Sequence, residues 1–258
     1  MARRHVSFPC EGEQLTGTID EAPGTAGLLI VTGGNETRAG AFSGQAQLAA
    51  RIAAAGHPVF RFDRRGVGDS PGKNLGFRGS AADIAAALSA FRAHSPHLVR
   101  VVGFGNCDAA SILMLEAGSG FDVLALANPW TIESGNEALP PAAVRARYGE
   151  KLRNPREVLR LFTGKVSLSK LAAGIRQALR PARVPSSLAQ EMAAGLAHFS
   201  GPTAILLAGR DRTAQAFVAA WDGTDDRIAL CPNASHAFVE PDAREWLSGQ
   251  LLRALSQE

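Results

Sequence analysis

Short apolar runs alternate with helical patterns along most of this chain, and the alternation limits the folds open to it. The apolar runs typical of strands occupy residues 27–33, 58–63, 100–105, 123–129, 203–209 and 227–232. Helical patterns rich in Ala and Leu follow the first three of these runs, over residues 44–56, 80–94 and 108–118. Strands that alternate with helices are typical of parallel strands joined by crossover helices. The sequence therefore predicts an α/β fold with a mostly parallel twisted sheet flanked by helices.

Both ends of the chain add elements to this pattern. Near the N-terminus, HVSFP and QLTGTID have the features of an antiparallel pair of strands. Residues 242–257 form an amphipathic pattern that begins with an acidic residue after Pro241, as helices often do. We expect an extra pair of strands at one edge and a closing helix at the end.

The alternation stops after Trp130 and resumes at Thr203. Within this stretch NPREVLRLF begins like a helix, with Asn154 as a cap, and apolar residues then recur at roughly helical spacing. This stretch leaves and returns at strand ends, and open α/β sheets bind ligands at the carboxyl ends of their strands. We therefore predict one domain, with a core of residues 1–130 and 201–258 and a helical cap over residues 131–200.

Composition narrows the class of protein. The chain has 258 residues, of which 46% are hydrophobic, as in ordinary soluble domains. No apolar run approaches the roughly 18 to 20 residues of a membrane span, and no apolar stretch follows the basic start, so we expect a cytoplasmic protein. Cys10, Cys107 and Cys231 are far apart and make no CxxC pair, which argues against a disulfide framework or a zinc site. No metal and no other cofactor is expected.

Positive charge is concentrated in the predicted cap. Between Arg145 and Arg183 there are eleven Lys and Arg residues against two Glu, although the whole chain has a net charge of only +3. These residues are either solvated faces of helices or an electrostatic funnel for an anionic substrate or carrier. Nucleic acid is not expected as a partner, because the segment has few aromatic residues and no recognisable binding motif.

The stretch VVGFGNCDAASILML passes directly from an apolar run into a helical pattern. Such a sharp turn exposes the residue at its centre and needs small neighbours, and Gly105 and Ala109 lie two residues before and after Cys107. This is a G-x-C-x-A form of the G-x-S-x-G nucleophile elbow. A helix N-terminus and a nearby histidine lower the pKa of a thiol, so Cys107 is a candidate nucleophile. The alternative is a buried cysteine that serves only packing.

Two further strand ends carry candidate partners in the order nucleophile, acid, base. Asp211 lies two residues after the glycine that closes run 203–209, and His236 lies in the loop after the last run. In this interpretation Cys107 attacks a carbonyl carbon, His236 transfers protons, and Asp211 orients the imidazole. The alternatives are that Asp211 is a loop acid or a helix cap and that His236 has no role.

A carbonyl substrate also needs donors for the developing oxyanion. The backbone N–H of Asp108, directly after the nucleophile, is one candidate. The other is the amide of Asn35, which follows the pair Gly33 and Gly34 at the end of the first long strand. A plain turn would explain the glycine pair equally well. Neither a phosphate-loop pattern nor a dinucleotide fingerprint is present.

With these motifs the chain resembles the α/β-hydrolase superfamily over nearly its whole length. RFDRRGVGDSPG is similar to that superfamily's D-x-R-G-x-G-x-S turn, a supporting loop beside the active site, here formed by Asp63, Arg65, Gly66, Gly68 and Ser70. The motifs GGNETRAGAF, FDRRGVGDSPG, GNCDAAS, NPW and LFTGKVSL together resemble the exosortase A system-associated hydrolase 1 family. Those bacterial proteins are linked to exopolysaccharide and PEP-CTERM sorting loci, and their elbow carries cysteine followed by aspartate.

The chain departs from that family at two places. Gly33, Gly34, Asn35 and Glu36 stand where the family has G-G-P-Q, which alters the predicted oxyanion loop, and Ala109 stands where it has glycine. The resemblance implies an α/β-hydrolase with a cysteine nucleophile, but fold analogy does not name a substrate.

We therefore expect hydrolysis of acyl esters through Cys107, His236 and Asp211 with a covalent acyl-cysteine. One alternative is a thioesterase or acyltransferase acting on acyl-CoA or on an acyl carrier protein, which the basic cap would favour. A second alternative is a non-catalytic binding protein on the same fold.

Overall fold

A computed structural model describes residues 2–132 and 187–256. Most of the predicted cap, including its basic segment, lies outside these residues, so the cap stays a prediction. The strands are β1 (Arg3–Cys10), β2 (Glu13–Asp20), β3 (Ala26–Val31), β4 (Val59–Phe62), β5 (Arg100–Asn106), β6 (Val123–Ala127), β7 (Thr203–Ala208) and β8 (Ile228–Cys231). The helices, numbered within the described residues, are α1 (Gly44–Ala54), α2 (Ala81–His94), α3 (Asp108–Leu115), α4 (Ser187–Ala197), α5 (Arg212–Ala220) and α6 (Pro241–Ser256).

These strands form one sheet in the order β1-β2-β4-β3-β5-β6-β7-β8. β1 and β2 pair antiparallel, as does β2 with β4, and every pair from β4 to β8 is parallel. The predicted α/β class, the mostly parallel sheet and the N-terminal pair are confirmed. The central strand β3 is buried along its whole length, because helices cover both faces of a parallel sheet.

The two faces of the sheet carry separate apolar cores. Side chains of α1 and α6 pack on one face, against Leu28 and Ile30 of β3. Side chains of α2, α3, α4 and α5 pack on the other face, against Leu29 and Val31. The period-two alternation of a strand explains why neighbouring residues of β3 serve different cores.

Two helices differ from the sequence-based expectation. α4 lies within the range predicted as cap, yet its Leu188, Met192 and Leu196 are buried in the same core as α3. α5 was not predicted; it is a short helix with Asp211 as its N-cap. No helix in the described part of the chain is long and apolar enough to cross a membrane.

Candidate active site

Cys107 lies at the turn between β5 and α3. Its backbone has φ 64° and ψ −129°, a left-handed conformation that is strained for a residue with a side chain. A Cβ on Gly105 would lie 2.6 Å from the carbonyl carbon of Ala109, so the turn requires glycine there. The Cys107 N–H donates to the Ala127 carbonyl at 3.0 Å, which ties the elbow to the end of β6. The sharp strand-to-helix hinge predicted from the sequence is present.

His236 and Asp211 meet beside this elbow. The Nδ1 of His236 donates to Oδ2 of Asp211 at 2.8 Å, and the imidazole also interacts with the Cys107 side chain. The same Oδ2 accepts the N–H of Ala214 at 3.1 Å, so Asp211 is both the partner of His236 and the cap of α5. The structure thus brings together the three residues that the sequence singled out, on loops after β5, β7 and β8.

The surroundings of the His236 imidazole raise its pKa. Its hydrogen bond to Asp211, followed by the hydrogen-bonding interaction with Cys107, raises the pKa of His236 from 6.5 to about 10, against the opposing effect of burial. The raised pKa favours the protonated imidazole next to Asp211.

The backbone of the His236 loop is fixed by two asparagines. The side-chain amides of Asn106 and Asn128 both donate to the carbonyl of His236, at 3.1 and 3.2 Å, and Asn128 also donates to Asn106 at 3.0 Å. The Oδ1 of Asn128 accepts the N–H of Ala208 at 2.8 Å, which joins this network to β7. The sequence interpretation missed both residues as site residues, although Asn128 belongs to the NPW motif.

The loop after β3 packs directly against the elbow. A Cβ on Gly33 would lie 2.6 Å from the Asn106 carbonyl oxygen, so the loop approaches as closely as only glycine permits. The N–H of Gly34 donates to Oδ1 of Asp108 at 2.7 Å. The side chain of Asn35 instead accepts a hydrogen bond from the exposed Asn74 at 2.9 Å. The role of the Asp108 and Asn35 backbone N–H groups as oxyanion donors stays a prediction.

The buried side chain of Arg64 binds the loop after β3. Its side chain is only 3% exposed, and its Nη2 donates to the carbonyl of Gly34. Its Nε and Nη1 have no partner among the described residues, and burial lowers the pKa of this guanidinium while Asp108 raises it. Arg64 was not predicted as a site residue, because it occupies the variable position of the D-x-R-G-x-G-x-S turn, in which Arg65 is the motif residue.

Arg65, which the sequence predicted as a supporting residue, turns away from the loop. Its Nε donates to Asp83 at 2.5 Å, and its Nη1 pairs with Glu11. The rest of the predicted turn is closed by Asp63, whose carbonyl accepts the hydroxyl of Ser70 at 2.7 Å. Arg65 therefore fixes the turn to α2 rather than the residues around Cys107.

A further carboxyl group lies near the imidazole. Burial, with a smaller contribution from Asp108, raises the pKa of Glu36, and His236 opposes the shift. Glu36 ends the tight turn that starts at Gly33, whose carbonyl accepts the Glu36 N–H at 3.1 Å. The loop therefore brings a second acidic side chain, besides Asp211, into the electrostatic environment of His236.

The other two cysteines are buried. Cys10 is 5% exposed and its thiol donates to Asp83 at 3.4 Å; burial, together with Asp83, raises its pKa to about 11. Cys231 is 8% exposed, and burial raises its pKa as well. Both favour the thiol form, so neither is suited to nucleophilic attack. Within residues 2–132 and 187–256, no group of three or more His, Cys, Asp and Glu side chains could hold a metal ion.

Comparisons with known proteins agree with this architecture. Over its full length the chain superposes on the α/β hydrolase GrgF from Penicillium sp. sh18, with a TM-score of 0.67, 15% sequence identity and 100% coverage of both chains. The esterase Pf2001 of Pyrococcus furiosus gives a TM-score of 0.58 at 14% identity, covering 99% of this chain and 94% of the esterase. The thioesterase domain from the curacin biosynthetic pathway gives 0.58 at 14% identity, covering 98% and 100%.

At these identities the structural likenesses establish the fold alone. A search of curated protein sequences finds no match. The family model of the alpha/beta hydrolase family, however, matches residues 28–248, which span the elbow, Asp211 and His236. The chain therefore belongs to the alpha/beta hydrolase family.

Proposed function

We propose that this hydrolase cleaves acyl esters through a Cys107, His236 and Asp211 triad and a covalent acyl-cysteine. The observation that carries the proposal is the imidazole of His236, which lies between the Asp211 carboxylate and the thiol of a residue at a left-handed strand-to-helix turn. A thiol with an adjacent base, itself oriented by a third group, is the arrangement of an activated nucleophile.

The reaction follows in two halves. The thiol of Cys107 gives its proton to His236 as the sulfur attacks the ester carbonyl carbon, and a tetrahedral oxyanion forms. When that intermediate collapses, the C–O bond breaks, the alkoxide takes the proton from His236, and the acyl group stays on sulfur. Water then gives a proton to His236 and attacks the thioester, and the acid is released as the imidazolium reprotonates the sulfur.

The oxyanion is proposed to accept hydrogen bonds from the backbone N–H groups of Asp108 and Asn35. The Gly34 N–H donates to the Asp108 carboxylate, and the Gly34 carbonyl accepts a hydrogen bond from Arg64. Both backbone groups of Gly34 therefore already have hydrogen-bond partners. Because the C=O and N–H of one peptide plane point in opposite directions, anchoring the Gly34 carbonyl also fixes the direction of the Asn35 N–H.

The test is release of p-nitrophenol from a series of p-nitrophenyl acyl esters. Wild-type protein is expected to turn them over, and Cys107→Ala to lose at least about a thousandfold in rate, as loss of a nucleophile does in comparable triads. Turnover in Cys107→Ala at the wild-type rate would reject Cys107 as the nucleophile.

A second candidate is a thioesterase or acyltransferase acting on acyl-CoA or an acyl carrier protein. It is favoured by the basic residues between Arg145 and Arg183, and by the likeness to a thioesterase domain. Activity on acyl-CoA far above that on matched oxygen esters, falling steeply with salt, would support this candidate. A third candidate, a binding protein without catalysis, requires that Cys107 show no preferential labelling by thiol reagents.

Three further features are proposed with the function. The part of the predicted cap (residues 131–200) that precedes α4 would cover the site, and the protein would act in the cytoplasm. The motifs shared with the exosortase A system-associated hydrolase 1 family support placing it in that bacterial group.

A further inference from the structure

A pocket of about 450 Å³ lies between α1 and α6, on the face of the sheet opposite α3. Its walls are mainly apolar and include Leu48 of α1, Phe104 of β5, Phe238 and Leu247. A volume of this size is typical of sites for small organic ligands. No step of the proposed reaction uses this pocket.

One end of the pocket adjoins the candidate catalytic residues. Asn106 and Ala237 line it, and they directly precede Cys107 and directly follow His236. Glu36, from the turn after β3, lines the same end. A chain bound in the pocket would therefore reach the carbonyl position beside Cys107 from the side of α1 and α6.

Two exposed arginines, Arg51 and Arg244, also line the pocket. Arg51 donates to the Ser248 hydroxyl at 3.3 Å, and Arg244 donates to Gln47 at 3.4 Å, so each bridges α1 and α6. Neither forms an ion pair with any residue in the described part of the chain. Arg51 lies seven residues after the start of α1, which is about 10 Å along the helix axis. Arg51 thus lies about two helical turns into α1, and among the described residues it has no carboxylate partner.

The rim of the pocket is strained. Phe42 and Ser43 both have positive φ, at 52° and 58°, although neither is glycine. Phe42 lines the pocket, and its side chain is 87% exposed. Non-glycine residues held at positive φ are concentrated at active sites and ligand-binding segments.

We propose that this pocket binds the acyl chain of the ester, and that it selects a medium-length chain whose far end carries a carboxylate bound by Arg51. The apolar walls match the methylene chain, and the guanidinium of Arg51, which no carboxylate in the described part of the chain neutralises, matches the terminal anion. The inference rests on the proposed function, because the carbonyl must lie at Cys107.

The first test compares p-nitrophenyl octanoate with p-nitrophenyl hydrogen suberate, which has the same chain length and a terminal carboxylate. The ratio of kcat/KM for the suberate ester to that for the octanoate ester is expected to fall about tenfold or more in Arg51→Gln, mainly through KM, and to be retained in Arg51→Lys. Arg253→Gln, on α6 but outside the pocket, is the matched control and should leave the ratio unchanged. An equal ratio in wild type and Arg51→Gln would overturn the assignment.

The second test fills the pocket. Leu48→Trp is expected to lower kcat/KM for the octanoate ester relative to the acetate ester, because the larger ring occupies the space of the chain. An unchanged ratio in a variant that keeps the wild-type melting temperature would place the acyl chain elsewhere.

A binding measurement separates this inference from the proposed function. Cys107→Ala is titrated calorimetrically with monomethyl suberate and with neutral dimethyl suberate. Tighter binding of the monoanion, lost in the double variant with Arg51→Gln, supports the pocket even if no ester is hydrolysed. Cys107-dependent hydrolysis with equal binding of both probes would reject the pocket and leave the proposed function standing.

Discussion

The carboxylate of Asp108, the residue after Cys107, accepts the backbone N–H of Gly34 at 2.7 Å. This hydrogen bond links the nucleophile elbow to the loop after β3, and Arg64 holds the same loop through the carbonyl of Gly34. The loop is thus anchored through both the N–H and the carbonyl of Gly34, next to the backbone N–H groups that we propose bind the oxyanion.

Asp108 is expected to act as a positioning residue. Asp108→Ala should lower kcat about tenfold or more with little change in KM, since the loop loses a charge-assisted hydrogen bond. Asp108→Asn keeps an acceptor oxygen and should retain more of the rate. Steady-state kinetics on a p-nitrophenyl ester provides the measurement. A higher kcat in Asp108→Ala would mean that the carboxylate blocks the Gly34 donor instead.

Thiol reactivity should distinguish the three cysteines. Cys107 is partly exposed beside an imidazolium, whereas Cys10 and Cys231 are buried with raised pKa values. Iodoacetamide at neutral pH is expected to alkylate Cys107 first, and His236→Ala should slow that reaction. Peptide mass spectrometry over a time course reads out the order. Equal rates at all three thiols would count against an activated Cys107.

The raised pKa of His236 predicts a pH-dependent stability. Because Asp211 and Cys107 raise this pKa from 6.5 to about 10, the folded state binds the proton more tightly than the unfolded chain does. The contribution is fully present below pH 6.5 and is lost as pH rises from 6.5 through about 10. Urea unfolding at several pH values should show a larger decline in the free energy of unfolding for wild type than for Asp211→Asn. If the free energy of unfolding changed with pH in the same way in both proteins, the contribution of the His236–Asp211 pair would be excluded.

The asparagine pair should control the position of His236. Asn128→Leu removes the hydrogen bonds that Asn128 donates to Asn106 and to the His236 carbonyl. It also leaves the buried N–H of Ala208 without its acceptor. We expect a loss of about 1–3 kcal/mol in stability and a lower kcat. Asn106→Ala removes one of the two donors to the His236 carbonyl and is expected to have a smaller effect. Thermal unfolding measures the stability of each variant, and steady-state kinetics measures its kcat. A wild-type stability and a wild-type kcat in Asn128→Leu would show that Asn128 does not position His236.

Much of the fold follows from sequence because its signals are local. Each of the eight strands coincides with an apolar run or alternating segment, and Gly105 beside Cys107 marks the elbow. Some boundaries shift for local reasons: β6 ends at Ala127, before its predicted end at Pro129, since Asn128 has φ 43° and proline has no N–H to donate.

The remaining features depend on contacts between distant segments. Arg64 and Arg65 are adjacent in sequence, and only the packed loop decides which one reaches Gly34. The junction of Asn106, Asn128 and His236 likewise brings together the ends of three different strands. The Asp cap of α5 is a local signal in the sequence. Only the packed structure shows that the same Asp211 carboxylate both caps α5 and pairs with His236.

The most direct test of the central claim is to trap the covalent intermediate. Wild-type protein is mixed with p-nitrophenyl octanoate, quenched in acid during turnover and digested, and the peptide masses are measured. The account predicts an octanoyl adduct on the peptide containing Cys107, absent from Cys107→Ala. Continued turnover with no adduct on that peptide, or with an adduct on another side chain, would contradict the proposed acyl-cysteine mechanism.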